Sequence, residues 1–172
     1  VNPILIIGIF GAMWGLAGVY LLLGSAVYRL WILAFAGLSY DLQWYHWITL
    51  ILIVFFMSYA EGYRGFQQGF SPRVAARAKY LKDNPNIVRS LLAPFFCMGF
   101  FHATRKRKIV SISLTIGIIC LIVMVSRVPQ PWRGIIDVGV VIGLIWGIIS
   151  LIVFTIQAFA SKDYKYSPEV PT

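Results

Sequence analysis

The chain has 172 residues, 59% of them hydrophobic and only 12% charged, with a formal net charge of +9. That apolar excess excludes disordered and ordinary soluble classes and fits a polytopic membrane protein. Its two cysteines, Cys97 and Cys120, are too few and too far apart for a disulfide framework or a CxxC metal site.

A membrane-crossing helix needs about 20 mostly apolar residues. Four stretches meet that length in chain order, and they predict an all-α integral membrane protein with a single membrane domain over residues 1–172. The spans fall at about residues 3–36, 44–60, 109–126 and 134–160, with a basic cytoplasmic segment, 61–108, between the second and third. Residues 4–27 carry no charge and lack the basic start and processing site of a cleaved signal peptide, so this run reads as a retained helix.

Charge sets the predicted orientation. Residues 61–108 hold ten Lys or Arg against two acids, Glu61 and Asp83, whereas residues 37–43 hold no Lys or Arg and the last link has only Arg127 and Arg133. The positive-inside rule therefore puts both termini in the cytoplasm, in a bacterial inner membrane or an organelle membrane of bacterial origin. Trp44, Tyr45, Trp47 and Trp132 then mark the outer interface, and Tyr59, Tyr63 and Phe66 the inner one.

Within the basic segment, Ser71-Pro72 reads as the cap and first position of a short helix, and Asp83-Asn84-Pro85-Asn86 as the turn that ends it. The following apolar run, residues 87–101, is interrupted by Pro94 and would be about 22 Å long as a helix, short of a hydrocarbon core of roughly 30 Å. With Arg89 on one flank and Arg105, Lys106, Arg107 and Lys108 on the other, it must enter and leave on one side. An interfacial helix is the expectation and a re-entrant dip the alternative. In the interfacial form Leu91, Leu92, Phe95 and Phe96 meet lipid while the four basic residues meet anionic headgroups. The C-terminal tail from Ser161 reads as short, polar and loosely held.

Glycine spacing predicts helix packing. Gly8, Gly11, Gly15 and Gly18 share one face of the first helix, and Gly139, Gly143 and Gly147 one face of the fourth. Arg133 and Asp137 are spaced for an i, i+4 pair. The polar residues expected to converge at the inner interface are Glu61, Arg64, His102 and Arg105, which with Lys106, Arg107 and Lys108 are the candidate ligand or lipid contacts. His46 and His102 fall on opposite sides of the membrane, so they cannot share a haem iron. No cofactor, metal or catalytic residue is predicted.

The function expected is that of a non-enzymatic accessory subunit or assembly factor. It would bind a membrane-protein partner or a second copy, contact anionic lipid headgroups and ignore nucleic acid. The alternative is a small enzyme or binding protein for a lipid or quinone, using Glu61 and His102 at the cytoplasmic interface.

Overall fold

The computed structural model describes residues 3–161 and 163–171, with side chains from residue 6 onward. The described residues form helices α1 (Pro3–Leu38), α2 (Trp44–Met57), a π-helical segment (Ser58–Phe70), α3 (Ser71–Asp83), α4 (Ile87–Leu91), α5 (Ala93–Met98), α6 (Arg105–Val125) and α7 (Trp132–Ala160), and no strand. Four helices are long and apolar enough to cross a membrane: Ile6–Leu38, Trp44–Asp83, Arg105–Val125 and Trp132–Ala160.

The second of these differs from the sequence expectation. It does not stop near residue 60 but runs on to Asp83 through the π segment. Ser71 is therefore no cap: its backbone is helical, its N–H donates to Phe66 O, and its hydroxyl meets Ser150 Oγ at 2.6 Å. Pro72, which has no N–H to give, follows directly where the π bonding ends and α3 begins. The break expected at Asn84 is present, and Asn86 caps α4 by accepting from Val88 N and Arg89 N at 3.0 and 3.3 Å. Pro94 opens α5, and Gly99 closes it with a left-handed φ of 85°.

Contacts along α7 define the bundle. Residues 46, 53, 61, 66 and 71 meet 132, 139, 143, 147 and 150 in turn, so the long second helix runs parallel to α7. Tyr20 meets Thr155, and Gly37 meets Gly134, so α1 runs antiparallel to it. A β-carbon on Gly139, Gly143 or Gly147 would strike Ile53, Glu61 or Phe66. One on Gly8, Gly11, Gly15 or Gly18 would strike Lys82, Ser90, Cys97 or Pro94. The glycine face of α1 thus seats α3, α4 and α5 rather than another long helix. The core follows from this arrangement, with Leu16, Val19 and Leu23 of α1 meeting Val74 and Leu81 of α3, Phe96 of α5 and Leu151 of α7.

Helix α6 stands apart. In its most apolar stretch only 6% of residues are buried, against 11% in the second long helix and 33% and 39% in α1 and α7, so its own chain does not cover it. Its ties are at its first turns, where Arg107 and Ser111 are buried and Ser111 Oγ donates to Met98 O at 3.0 Å.

The Gly37–Gly134 crossing is backbone against backbone, 2.5 Å from an added β-carbon to the facing Cα, whereas Gly117 on α6 has open space. Gly134→Ala should therefore cost about 1–3 kcal/mol, seen as a lower Tm in detergent. Gly117→Ala should leave Tm unchanged or raise it. Equal effects of the two changes would show that the crossing is not close-packed.

Candidate functional site

The most densely bonded polar group is one that charge counting alone leaves on the surface. Arg77, at the middle of α3, is 1% exposed. Its Nε donates to Phe96 O at 2.6 Å, Nη1 to Pro168 O at 2.6 Å, and Nη2 to Phe101 O and His102 O at 3.0 and 2.9 Å. Its guanidinium carbon lies 4.3 Å from the Phe96 ring centre, which stacks in turn on Tyr80. A planar fork with five donors suits such a set of carbonyls, which a lysine ammonium cannot reach together.

Every described residue with positive φ is found at this junction: Gly99 at 85°, His102 at 45° and Glu169 at 49°. The bend places the Phe101 and His102 carbonyls on Arg77. Phe96 is consequently core and fully buried, a correction to the expectation that it meets lipid, while Leu91, Leu92 and Phe95 remain exposed.

The C-terminal tail is also fixed here, contrary to its expected looseness. Glu169 Oε1 lies 3.5 Å from Arg73 Nε, Glu169 Oε2 lies 3.9 Å from Arg107 Nε, and Glu169 O accepts from Thr104 N at 3.0 Å. Tyr164 donates to Pro72 O at 3.2 Å, and burial, with Tyr166 beside it, pushes its phenol above the ordinary range, keeping it a donor. Arg107 is thus buried against the tail and is not available to headgroups, as its place in the run Arg105–Lys108 suggested. Arg105 and Lys106 are exposed and Lys108 is half-buried.

Glu61 and His102 do not form one site. Glu61 lies in the π segment against Gly143, about 16 Å along α7 from Trp132 at 1.5 Å per residue, or half a hydrocarbon thickness. His102 belongs to the Arg77 junction, about 20 Å further on by the same rise through Ser71 and Ser150. The π-helical continuation of the second helix carries the two apart, because Glu61 sits at its middle and not at its end. Glu61 makes no described hydrogen bond or ion pair, and Arg64, exposed one turn on, makes none to it. The nearest polar groups along the same groove are Gln67, whose Oε1 accepts from Trp146 Nε1 at 2.8 Å, and the Ser71–Ser150 pair.

The remaining candidates separate likewise. His46 is buried at the far end, where its Nδ1 accepts from Gln43 N at 3.0 Å and its ring packs on Trp132. Arg133 and Asp137 pair at 3.7 Å. Cys97 and Cys120 are free thiols, and burial pushes that of Cys97 up to about 12 against the opposing charge of Arg77. Among the described residues no three His, Cys, Asp or Glu gather into a metal-binding group. The signal for Arg77 was its place among Val74, Ala75, Ala76, Ala78 and Leu81, a largely apolar run that charge periodicity alone obscured. No family model, no curated protein and no solved structure matches the chain.

Removing the Arg77 fork strands four carbonyls. Arg77→Gln should cost about 3 kcal/mol or more and Arg77→Lys somewhat less, with residues 163–171 becoming protease-sensitive in both. A tail that stays protected would show that Arg77 is not what holds it. Glu61→Gln should act in the opposite direction, raising Tm by a few degrees, because a half-buried carboxylate with no described partner gives way to a neutral isostere. A marked fall in Tm would reveal a partner for that carboxylate.

Proposed function

We propose that the chain is a non-enzymatic integral membrane protein that serves a larger membrane assembly as an accessory subunit or assembly factor. The four apolar helices cross the bilayer with the basic ends of α3 and α6 and both termini in the cytoplasm, as the positive-inside rule directs. On this placement α4 and α5 lie along the cytoplasmic interface, with Leu91, Leu92 and Phe95 in apolar lipid.

The observation that carries the reading is the uncovered α6. At 21 residues, about 31 Å, it is long enough to span, yet the glycine faces that close the bundle lie on α1 and α7 and are filled from within the chain. Ile112, Ile116, Ile119 and Val123 are exposed along α6, and Gly117 has nothing against it. In lipid, such a helix gains packing energy only by meeting another helix, because lipid tails are as apolar as its own side chains. The occupant we assign is a transmembrane helix of a partner protein. The rival reading, an enzyme working through Glu61 and His102, needs those groups together, and about 20 Å separates them.

Extraction in mild detergent followed by light scattering tests this. The expected result is an assembly larger than the single chain that dissociates when Ser113 and Gly117 are both replaced by Leu, with Tm of the chain itself unchanged. A chain that leaves the membrane alone in both forms overturns the proposal.

A further inference from the structure

The cations around the Arg77 junction are not equally satisfied. Arg77 spends its donors on four carbonyls, and Arg73 and Arg107 share Glu169. Arg89 differs from both. Its place is set by the Asn86 cap of α4, and its guanidinium carbon lies 5.8 Å from the Tyr80 ring centre. Its Nη1 is nevertheless buried with no hydrogen-bond partner. The Nε atoms of Arg107 and Arg133 are also without hydrogen bonds, but each faces a carboxylate oxygen within 4 Å, at 3.9 and 3.7 Å. Among the described residues Arg89 forms no ion pair.

The ring of His102 stands in the same neighbourhood, packed on Phe96 with centroids 6.3 Å apart, and Phe96 stacks on the Tyr80 ring under Arg89. Burial first, and then the charges of Arg89, Arg77 and Lys108, hold its imidazole below the ordinary range. A buried guanidinium N–H without an acceptor is a cost that native structures relieve with a ligand, an ion or water. An arginine fork with an imidazole donor suits the oxygens of a phosphate, and the exposed Leu91, Leu92 and Phe95 supply apolar surface at the same end of the fold.

We propose that Arg89 and His102 form a binding site for a phosphate group where α4 meets the turn between α5 and α6. The phosphate is that of an anionic phospholipid headgroup or a free phosphate anion. The lipid source rests on the membrane placement above, and the free anion does not. Arg77 is the positioning residue, since it holds the His102 backbone in its left-handed bend.

The test uses the full chain in phosphatidylcholine nanodiscs carrying spin-labelled phosphatidylglycerol or spin-labelled phosphatidylcholine at equal mole fraction. The native chain should immobilise the anionic probe at least threefold over the zwitterionic one. Arg89→Gln and His102→Gln should each bring that ratio near one, Arg89→Lys should keep part of it, and Lys106→Gln, an exposed cation outside the cluster, should leave it unchanged. Inorganic phosphate at millimolar concentration that displaces the anionic probe shows that the site accepts phosphate from either source. Failure to displace it, with the Arg89→Gln loss intact, assigns the lipid. Equal losses in Lys106→Gln and Arg89→Gln would mean diffuse surface charge and overturn the site. A parallel measurement in detergent separates this proposal from the membrane reading. There, inorganic phosphate should raise Tm of the native chain and not of Arg89→Gln. No lipid selectivity together with no phosphate-dependent Tm shift overturns the proposal, whatever carbonate extraction says about membrane insertion.

Discussion

A guanidinium taken out of water with no carboxylate to meet it must collect carbonyl oxygens, and the Arg77 end of this fold is arranged around that demand. Helix carbonyls are mostly used within their own helices, so the acceptors must come from backbone that has left helical bonding. Phe96 near the end of α5, Phe101 and His102 in the turn after it, and Pro168 in the tail supply them. The turn between α5 and α6 is bent through positive φ at Gly99 and His102 to present these oxygens, and at His102 that bend costs about 1 kcal/mol or more. One side chain thereby joins α3, α5, the turn that leads into α6 and the tail.

The other half of the bundle is held by shape. The second long helix and α7 run parallel, with Gly139, Gly143 and Gly147 removing side chains from the line of contact so that Ile53, Glu61 and Phe66 can lie against bare backbone. Close approach of this kind maximises dispersion contacts between the two helices. It also explains why the stripes are spent inside the molecule. The α1 stripe receives α4 and α5, so the short segment between the second and third long helices is packed as closely as any long helix.

The features legible in the sequence are those that depend on length and average composition. Four long apolar runs, the break at Asn84, the interruption at Pro94 and the glycine faces all follow from local rules that tertiary contacts did not override. The end of the second helix was not legible, because Ser71-Pro72 is an ordinary start signal and only the unusual π bonding before it lets the helix run through. The Glu61–His102 pairing failed for the same reason, since an early helix end would have put both at one depth. Arg77 and Arg107 were counted as surface charge because net charge carries no information about direction. Their burial depends on carbonyls and a carboxylate that come from residues 96–102 and 168–169, far away in sequence.

Arg77 and Glu61 lie on one continuous helix and meet burial in opposite ways. Arg77 is overdetermined: carbonyls take four of its five N–H donors, so its role is to fix geometry. Glu61 is accommodated sterically by Gly143 and left chemically unanswered by the described residues, so its carboxylate is free to answer a group the chain does not contain. Arg89 on α4 is the cationic counterpart of Glu61, a buried donor without an acceptor. Unsatisfied polar atoms of opposite character, separated along the helix axis, are poorly suited to joint catalysis, which needs acid, base and substrate within hydrogen-bond reach. They suit the recognition of separate groups at separate positions along the helix axis, which is the arrangement the proposed subunit role calls for.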